Sequence, residues 1–278
     1  MTRFSPLRYP GGKAKIAPII AEVILKNDLI GGVYVEPFAG GASVALYLLL
    51  NKYVSSICIN DKDPAISAFW HVVKYQPEAL CKMIASTPVT IDEWKKQRDI
   101  QKRKNEIPLS LELAFSTLFL NRTNRSGIIW AGPIGGQSQS GRWKLDCRFN
   151  KGNLIARIQK IAEFKDHIEV TQLDAIEFLS PYTISDHNKT LVYLDPPYYV
   201  KGKGLYLNSY THQDHKDLAS IVSKLKANWI VSYDNVPEIL NLYRDYSSAV
   251  YHLNYSVQRH IKGSEIIFWK KLKFPQIL

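Results

Sequence analysis

"GVYVEPFAGGASVALYLLL", residues 32–50, reads as an apolar strand, a turn containing glycine, and an apolar helix. "VSSICINDKDPAISAFW" (54–70) repeats that logic: a strand, an acid, then a helix opening near Asp63-Pro64, where proline suits a first turn. Farther along, "IEVTQLDAIEFL" (168–179), "TLVYLDPPYY" (190–199) and "NWIVSYDN" (228–235) are short β-branched runs ending in polar residues. "HQDHKDLASIVSKLK" (212–226) has helical spacing, and Thr211 with Asp214 three residues on is a capping box rather than part of a metal site with His212 and His215. Strands alternating with helices predict a parallel sheet with helices on both faces, an α/β fold.

Residues 65–154 interrupt this alternation and read as an insertion, leaving 1–64 and 155–278 to the sheet domain. The insertion contains a charged helical run at 91–106, a more apolar helix at 109–120, and "NRTNRSGIIWAGPIGGQSQSGRW" (121–143), an extended loop or hairpin by its glycine, serine and asparagine content. The chain of 278 residues carries a net charge of +11. Residues 65–154 hold 14 Lys and Arg against 7 Asp and Glu, so most of the excess lies in one third of the chain. Folding does not call for such an excess, and a polyanion is the natural partner.

No apolar run approaches the ~20 residues that span a bilayer, and the opening "MTRFSPLRYP" lacks a signal-peptide segment, so a cytosolic protein is expected. Cys58, Cys81 and Cys147 are far apart and form no CxxC, and are expected to be reduced, structural thiols, with Cys147 packed rather than nucleophilic.

Ligands of open α/β sheets bind at the carboxyl ends of the strands. Gly40 and Gly41 permit a tight turn there and close approach of a ligand, beside a helix N-terminus that favours an anion. Asp61 is placed either to accept from ribose hydroxyls or to cap the next helix. Asp195 follows four apolar residues and emerges at the sheet edge, with Pro196 and Pro197 stiffening the turn. An amino group has two protons to donate, one to the Asp195 carboxylate and one to the Pro196 carbonyl, while Tyr198 stacks on the flat ring bearing it.

These residues resemble the Dam-type (D12 class) DNA adenine-N6 methyltransferases. The resemblance rests on "LRYPGGK" (7–13), "VEPFAGGASVAL" (35–46), "NDKDPAI" (60–66), "NRTNRSGI" with "GRWKLDCRFNK" (121–128, 141–151) and "DPPYY" (195–199), and covers essentially the whole chain. "DPPY" also occurs in guanine-N2 RNA methyltransferases; "PGGK" ahead of "EPFAGGAS", with a basic insertion before "DPPY", is more specific. The resemblance implies a seven-stranded, Rossmann-like methyltransferase sheet whose last strands form an antiparallel hairpin, with an inserted, mainly helical target-recognition domain. It implies S-adenosylmethionine as donor, S-adenosylhomocysteine as product, and no metal. Tyr9, Lys13, Phe38, Gly40, Asp61 and Asp174 fall to the cofactor, with Lys13 near its carboxylate, Asp61 at the ribose, Asp174 near the adenine, and Asp195 where cofactor and target meet. The family often has two glycines separated by one residue after the phenylalanine, whereas this chain has Gly40-Gly41-Ala42, which puts the details of that loop in question.

The expected activity is site-specific transfer of a methyl group to adenine N6 in double-stranded DNA. The rivals are an RNA base methyltransferase and a catalytically silent binding protein of the same fold. Lys102 and Lys104, on the polar helix, are expected at phosphates, and Arg122, Asn124 and Arg125 at base edges, unless Asn124 and Arg125 only cap the preceding helix, with Trp130, Arg142 and Lys144 as the alternative readers. The segment 200–210 is expected to close over the base. A monomer associated with the nucleoid, beside a separately acting restriction endonuclease, completes the expectation.

Overall fold

The computed structural model describes residues 4–8, 13–200, 210–254 and 262–275. Helix α1 (Ala17–Lys26) precedes β1 (Gly32–Glu36), α2 (Ser43–Leu50), β2 (Val54–Asn60) and α3 (Pro64–Tyr75). Helices α4 (Pro77–Ser86), α5 (Ile91–Lys102), α6 (Leu111–Thr123) and α7 (Lys151–Ala162) follow before the sheet resumes. The remainder is β3 (Ile168–Thr171), α8 (Ala175–Leu179), β4 (Thr190–Leu194), α9 (His212–Lys224), β5 (Asn228–Asp234), α10 (Pro237–Leu242), β6 (Ser247–Asn254) and β7 (Lys262–Trp269). Both helices expected in the insertion are present with shifted ends. The charged one stops at Lys102, and the apolar one runs on to Thr123.

The seven strands form one sheet in the order β3-β2-β1-β4-β5-β7-β6. β3 through β5 are parallel, and β7 runs antiparallel between β5 and β6, which gives the expected terminal hairpin. Strand order reverses between β1 and β4, and at such a switch point the connections leave to opposite faces and open a crevice above the carboxyl ends. Glu36 and Asp195 stand at the two sides of that crevice.

Side chains alternate across the sheet with the period of two that a pleated strand imposes. Tyr34, Ile57, Leu191, Tyr193 and Ile267 enter a core on one face, and Val35, Val192, Leu194, Val231 and Phe268 a core on the other. The second core is closed by α8, α9 and α10 through Phe178, Leu218, Val222 and Ile239. The first contains α1 and α2 and, without a break, the insertion residues Phe69, Trp70, Leu80, Trp94, Phe115, Leu118 and Phe119. Residues 65–154 therefore share the sheet's core. Thr211 and Asp214 form the expected capping box at the start of α9. Cys81 is buried and Cys58 donates to Glu169 at 3.3 Å, whereas Cys147 is exposed, a correction to its expected packing, because it sits on a short surface turn.

The loops above the sheet are tied by one amide. Asn60, 1% exposed at the end of β2, donates to the carbonyls of Pro37 and Leu173 at 3.1 Å each and accepts from the Thr171 hydroxyl and the Leu173 N–H at 2.8 Å each. It joins the ends of β1, β2 and β3. Asn60→Ala leaves these groups without partners and is expected to lower the unfolding free energy by ~2–4 kcal/mol, measured by urea denaturation.

Candidate active site

The turn after β1 is held in an unusual shape by its own acids and amides. Gly40 and Ala42 both adopt left-handed backbone, at φ +44° and +45°. The glycine tolerates this freely, but an alanine there costs about 1–2 kcal/mol. Ala42 thus takes up the backbone conformation that glycine favours, and the turn closes with its N–H on the Ala39 carbonyl. The Gly40 N–H donates to Asp61 at 2.9 Å, its carbonyl accepts from the Trp70 indole at 2.8 Å, and the Ala39 N–H reaches the Asn60 carbonyl at 2.9 Å. Phe38 stands at the rim, edge-on to Tyr210 at 6.0 Å.

Asp61 also accepts from the Asp63 N–H at 3.0 Å. Burial pushes its carboxyl up to about 6, although both N–H donors work the other way. The helix cap is Asp63, which accepts from the Ala65 N–H at 2.9 Å, so Asp61 is left facing the crevice side of its loop. Asp174 caps α8 through the Ile176 N–H and meets Lys62 at 2.9 Å. Burial raises it, but Lys62 and that N–H outweigh burial and hold it below the usual carboxylate range.

Glu36 is 4% exposed, and its Oε2 has no hydrogen-bond partner. Burial foremost, then the Asp195 charge, push it well above the ordinary glutamate range; a backbone N–H from Ala45 opposes them, and Asp61 adds to the rise. Glu36, at the end of β1, thus feels the charges of Asp195 after β4 on one side and of Asp61 after β2 on the other. In the sequence Glu36 is marked only by its place in "VEPF", an acid at the end of an apolar strand.

Asp195 lies on the other side, its side chain 20% exposed, accepting from Ser232 at 2.9 Å and paired with Lys13 at 3.0 Å. Burial foremost, with the Glu265 charge, raises its carboxyl, while Lys13 lowers it. Pro196 is buried and Pro197 half-buried. The turn is pinned from β5 by Asp234, whose two oxygens accept the N–H groups of Tyr199 and Val200 at 2.9 Å each. Tyr198 is 8% exposed; its hydroxyl donates to Glu265 and accepts from Lys13.

Lys13, expected at the cofactor's carboxylate, lies beneath this turn. Its ammonium reaches Asp195 at 3.0 Å, Glu265 and the Tyr198 hydroxyl at 2.8 Å, the Tyr251 hydroxyl at 3.3 Å and Ser232 at 3.4 Å. Burial works against its charge, yet its neighbours, Asp195 first, hold its pKa well above the usual lysine value. Tyr9 and most of the 200–210 segment lie outside the described residues.

The expected nucleic-acid face needs two corrections. Asn124 is fully buried: it accepts from the Trp94 indole at 2.6 Å and donates to the carbonyls of Ile128 and Ile129, so its amide has no edge left for a base. Lys104 is bound to both oxygens of Asp63 at 2.6 Å with its side chain 11% exposed, a neutralised cation on the α3 cap rather than a phosphate ligand. Arg122 is half-buried. Arg125 is exposed beside Gly132, Arg142 lies over the exposed Trp143 ring at 5.3 Å, and Lys144 is exposed and bonds the Gln139 carbonyl. Arg98 sits between the rings of Trp94 and Trp130, at 5.5 and 5.1 Å. A cleft of about 470 Å³, lined by Lys62, Pro64, Gln101, Lys102, Lys104 and Trp130, runs between these helices and the β2 loop.

A model of the D12 class N6 adenine-specific DNA methyltransferase family matches residues 9–260. The Type II methyltransferase M.MjaIII of Methanocaldococcus jannaschii is 27% identical over 224 residues, covering 76% of this chain and 74% of that protein. Among solved structures, the rRNA methyltransferase aviRa from Streptomyces viridochromogenes aligns with a TM-score of 0.42 at 12% identity, over 94% of this chain and 86% of its own. Protein LPL1258 from Legionella pneumophila aligns with a TM-score of 0.34 at 13% identity, over 93% and 86%.

Asn124→Ala removes the acceptor of a buried indole N–H and the donor to two carbonyls. It is expected to cost ~1–3 kcal/mol in denaturant unfolding while leaving the preference among DNA sequences unchanged in the folded enzyme. Arg125→Ala, at an exposed position, is expected to show the reverse pattern in the same two measurements.

Proposed function

The chain belongs to the D12 class of N6 adenine-specific DNA methyltransferases and methylates adenine N6 in DNA; we propose that the donor is S-adenosylmethionine and that the target is rotated out of duplex DNA into the crevice between β1 and β4. The observation that carries this reading is the convergence of Glu36, Asp61 and Asp195 at the switch point, with one Glu36 oxygen buried and unpartnered. A site so rich in acceptors fits a donor that carries a cationic centre, an ammonium group and ribose hydroxyls. Glu36, Asp61, Asp174, Phe38 and the Gly40 turn would hold it.

When bound, the cofactor would supply an electrophilic sulfonium methyl, its S–C electron pair remaining on sulfur, and the proton that N6 gives up on methylation would leave to the Asp195 carboxylate that it faces. The protein's part is alignment and charge. An exocyclic amine is a poor nucleophile because its lone pair is drawn into the ring. Hydrogen bonds from its two protons to the Asp195 carboxylate and the Pro196 carbonyl hold the nitrogen in line and favour the charge developing on it. Pro197 keeps the turn stiff, and Asp234 fixes it to β5. Tyr198 has its hydroxyl anchored below; stacking on the extruded base, worth ~1–3 kcal/mol, requires uncovering a ring that is 8% exposed here.

We assign residues 65–154 to target recognition as a functional division, since their helices share the sheet's core. Arg122, Arg125, Arg142 and Lys144 are the candidates to meet DNA. The similarity to a Type II methyltransferase makes a separately acting restriction endonuclease a reasonable companion. Among the described residues no helix is long and apolar enough to cross a membrane.

Asp195→Ala is expected to lower kcat about 100- to 1,000-fold in a tritium-transfer assay on duplex DNA while calorimetry still detects cofactor binding. Near-native turnover would end this assignment. An ionised Asp61 is the stronger acceptor for ribose hydroxyls. The affinity for S-adenosylmethionine should therefore weaken as the pH falls through about 6, by up to ~10-fold per pH unit. Asp61→Asn should flatten that dependence in the same titrations.

A further inference from the structure

β7 reads "KGSEIIFW", with one acid against an apolar run, and Glu265 is fully buried. A buried carboxylate is costly to keep unless it is paired and hydrogen-bonded. Glu265 is: it accepts from the hydroxyls of Tyr198 and Tyr251 and from Lys13 at 2.8 Å. The same ammonium lies 3.0 Å from Asp195. One lysine thus serves two carboxylates, one directly after β4 and one on β7, and with all three ionised the cluster keeps a net charge of −1.

That excess bears on the chemistry. If Lys13 faced Asp195 alone, the pair would be neutral, and a carboxylate already claimed by an ammonium and by Ser232 would be a weak acceptor for an amine. Drawing the ammonium partly toward β7 leaves Asp195 with negative charge to spend where positive charge arrives on N6. We propose that Glu265 is a positioning residue for methyl transfer: it holds Lys13 between two carboxylates so that Asp195 is never fully neutralised, and it anchors Tyr198 beneath the target base. This rests on the reading of Asp195 as the acceptor of the adenine amine.

Asp195 faces Lys13 from the N-terminal segment, Glu36 and Tyr34 from β1, Tyr193 on its own strand, Tyr198 in its own turn, Ser232 from β5 and Glu265 from β7. Of the two nearest charges, Glu265 raises its carboxyl and Lys13 lowers it. The signs of the variants follow. Glu265→Gln removes a like charge, so Asp195 should titrate at lower pH; Lys13→Met removes an opposite charge, so it should titrate at higher pH. Glu265→Asp keeps the charge and should stay near the native midpoint.

The test is a carbon-13 NMR titration of side-chain carboxyls in the full-length protein without cofactor or DNA, with the Asp195 signal identified by its loss in Asp195→Asn. The expected result is a midpoint lowered by on the order of one pH unit in Glu265→Gln, raised in Lys13→Met, and near native in Glu265→Asp. Loosened packing would instead move both Glu265 variants alike. In the methylation assay Glu265→Gln should lose on the order of 10- to 100-fold in kcat with little change in KM for DNA, and Glu265→Asp should recover part of it. An unmoved midpoint in Glu265→Gln, or equal shifts in Gln and Asp variants, overturns the proposal. Full activity in Asp195→Asn overturns the reading beneath it, whatever the titration shows.

Discussion

Carboxylates outnumber the cations that reach them at one edge of a sheet, buried or half-buried there, and the rest of the structure is arranged around that constraint. Glu36, Asp195 and Glu265 lie on or directly after β1, β4 and β7, with Asp61 after β2, and the lysine that reaches into them is Lys13. Desolvation and mutual repulsion both favour protonation, as seen in Glu36, Asp61 and Asp195. Folding alone would favour apolar side chains at these positions. A site kept in that state is prepared for a ligand that brings positive charge and hydrogen-bond donors, because binding it relieves the cost the protein bears without it.

The N-terminal segment that delivers Lys13 is held by the insertion. Asn121, in the last turn of α6, accepts the Arg8 N–H at 2.6 Å and donates to the Arg8 carbonyl at 2.7 Å and the Gly127 carbonyl at 2.8 Å. Gly127 has φ +78°, and a Cβ there would stand 2.4 Å from the Arg8 carbonyl oxygen, so the backbones touch only because the side chain is missing. The loop that carries Arg125 is thereby fixed to the N-terminal segment by a few buried amides, consistent with the unbroken core beneath them.

The five parallel strands were legible in the sequence because their signals are local: β-branched runs, acids after apolar strands, proline at helix starts. Asp61 and Asp195 could be placed for the same reason, whereas Asp174 and the hairpin of β6 and β7 came only with the family resemblance. What the sequence hid depends on pairs far apart in the chain. Lys104 reads as a free cation in a basic run, and only the fold brings it to Asp63, forty-one residues earlier. Asn124 reads as a polar loop residue until the Trp94 indole is seen to need its oxygen. Glu265 lies in a strand whose place is set by antiparallel pairing with β5, where Tyr233 faces Ile266 and Asp234 faces Glu265. Charge patterns name candidates for surface contact, but burial decides which of them are already taken.

Two local rules are broken side by side at the carboxyl edge of β1. Helix caps are conventional at Asp63, Thr90, Ser110, Asn150 and Thr211, each accepting from the first turn of its helix. Above β1, by contrast, α2 starts from a left-handed Ala42 with no side-chain cap, and beside it Glu36 keeps an oxygen without a partner. Glycine at position 42 would relieve the backbone, and an apolar residue at 36 would relieve the charge; either change would suit the fold better. Two such departures side by side, in the loop and strand end that border the crevice, are what a site shows when its geometry is set by what it must bind rather than by what would be most stable.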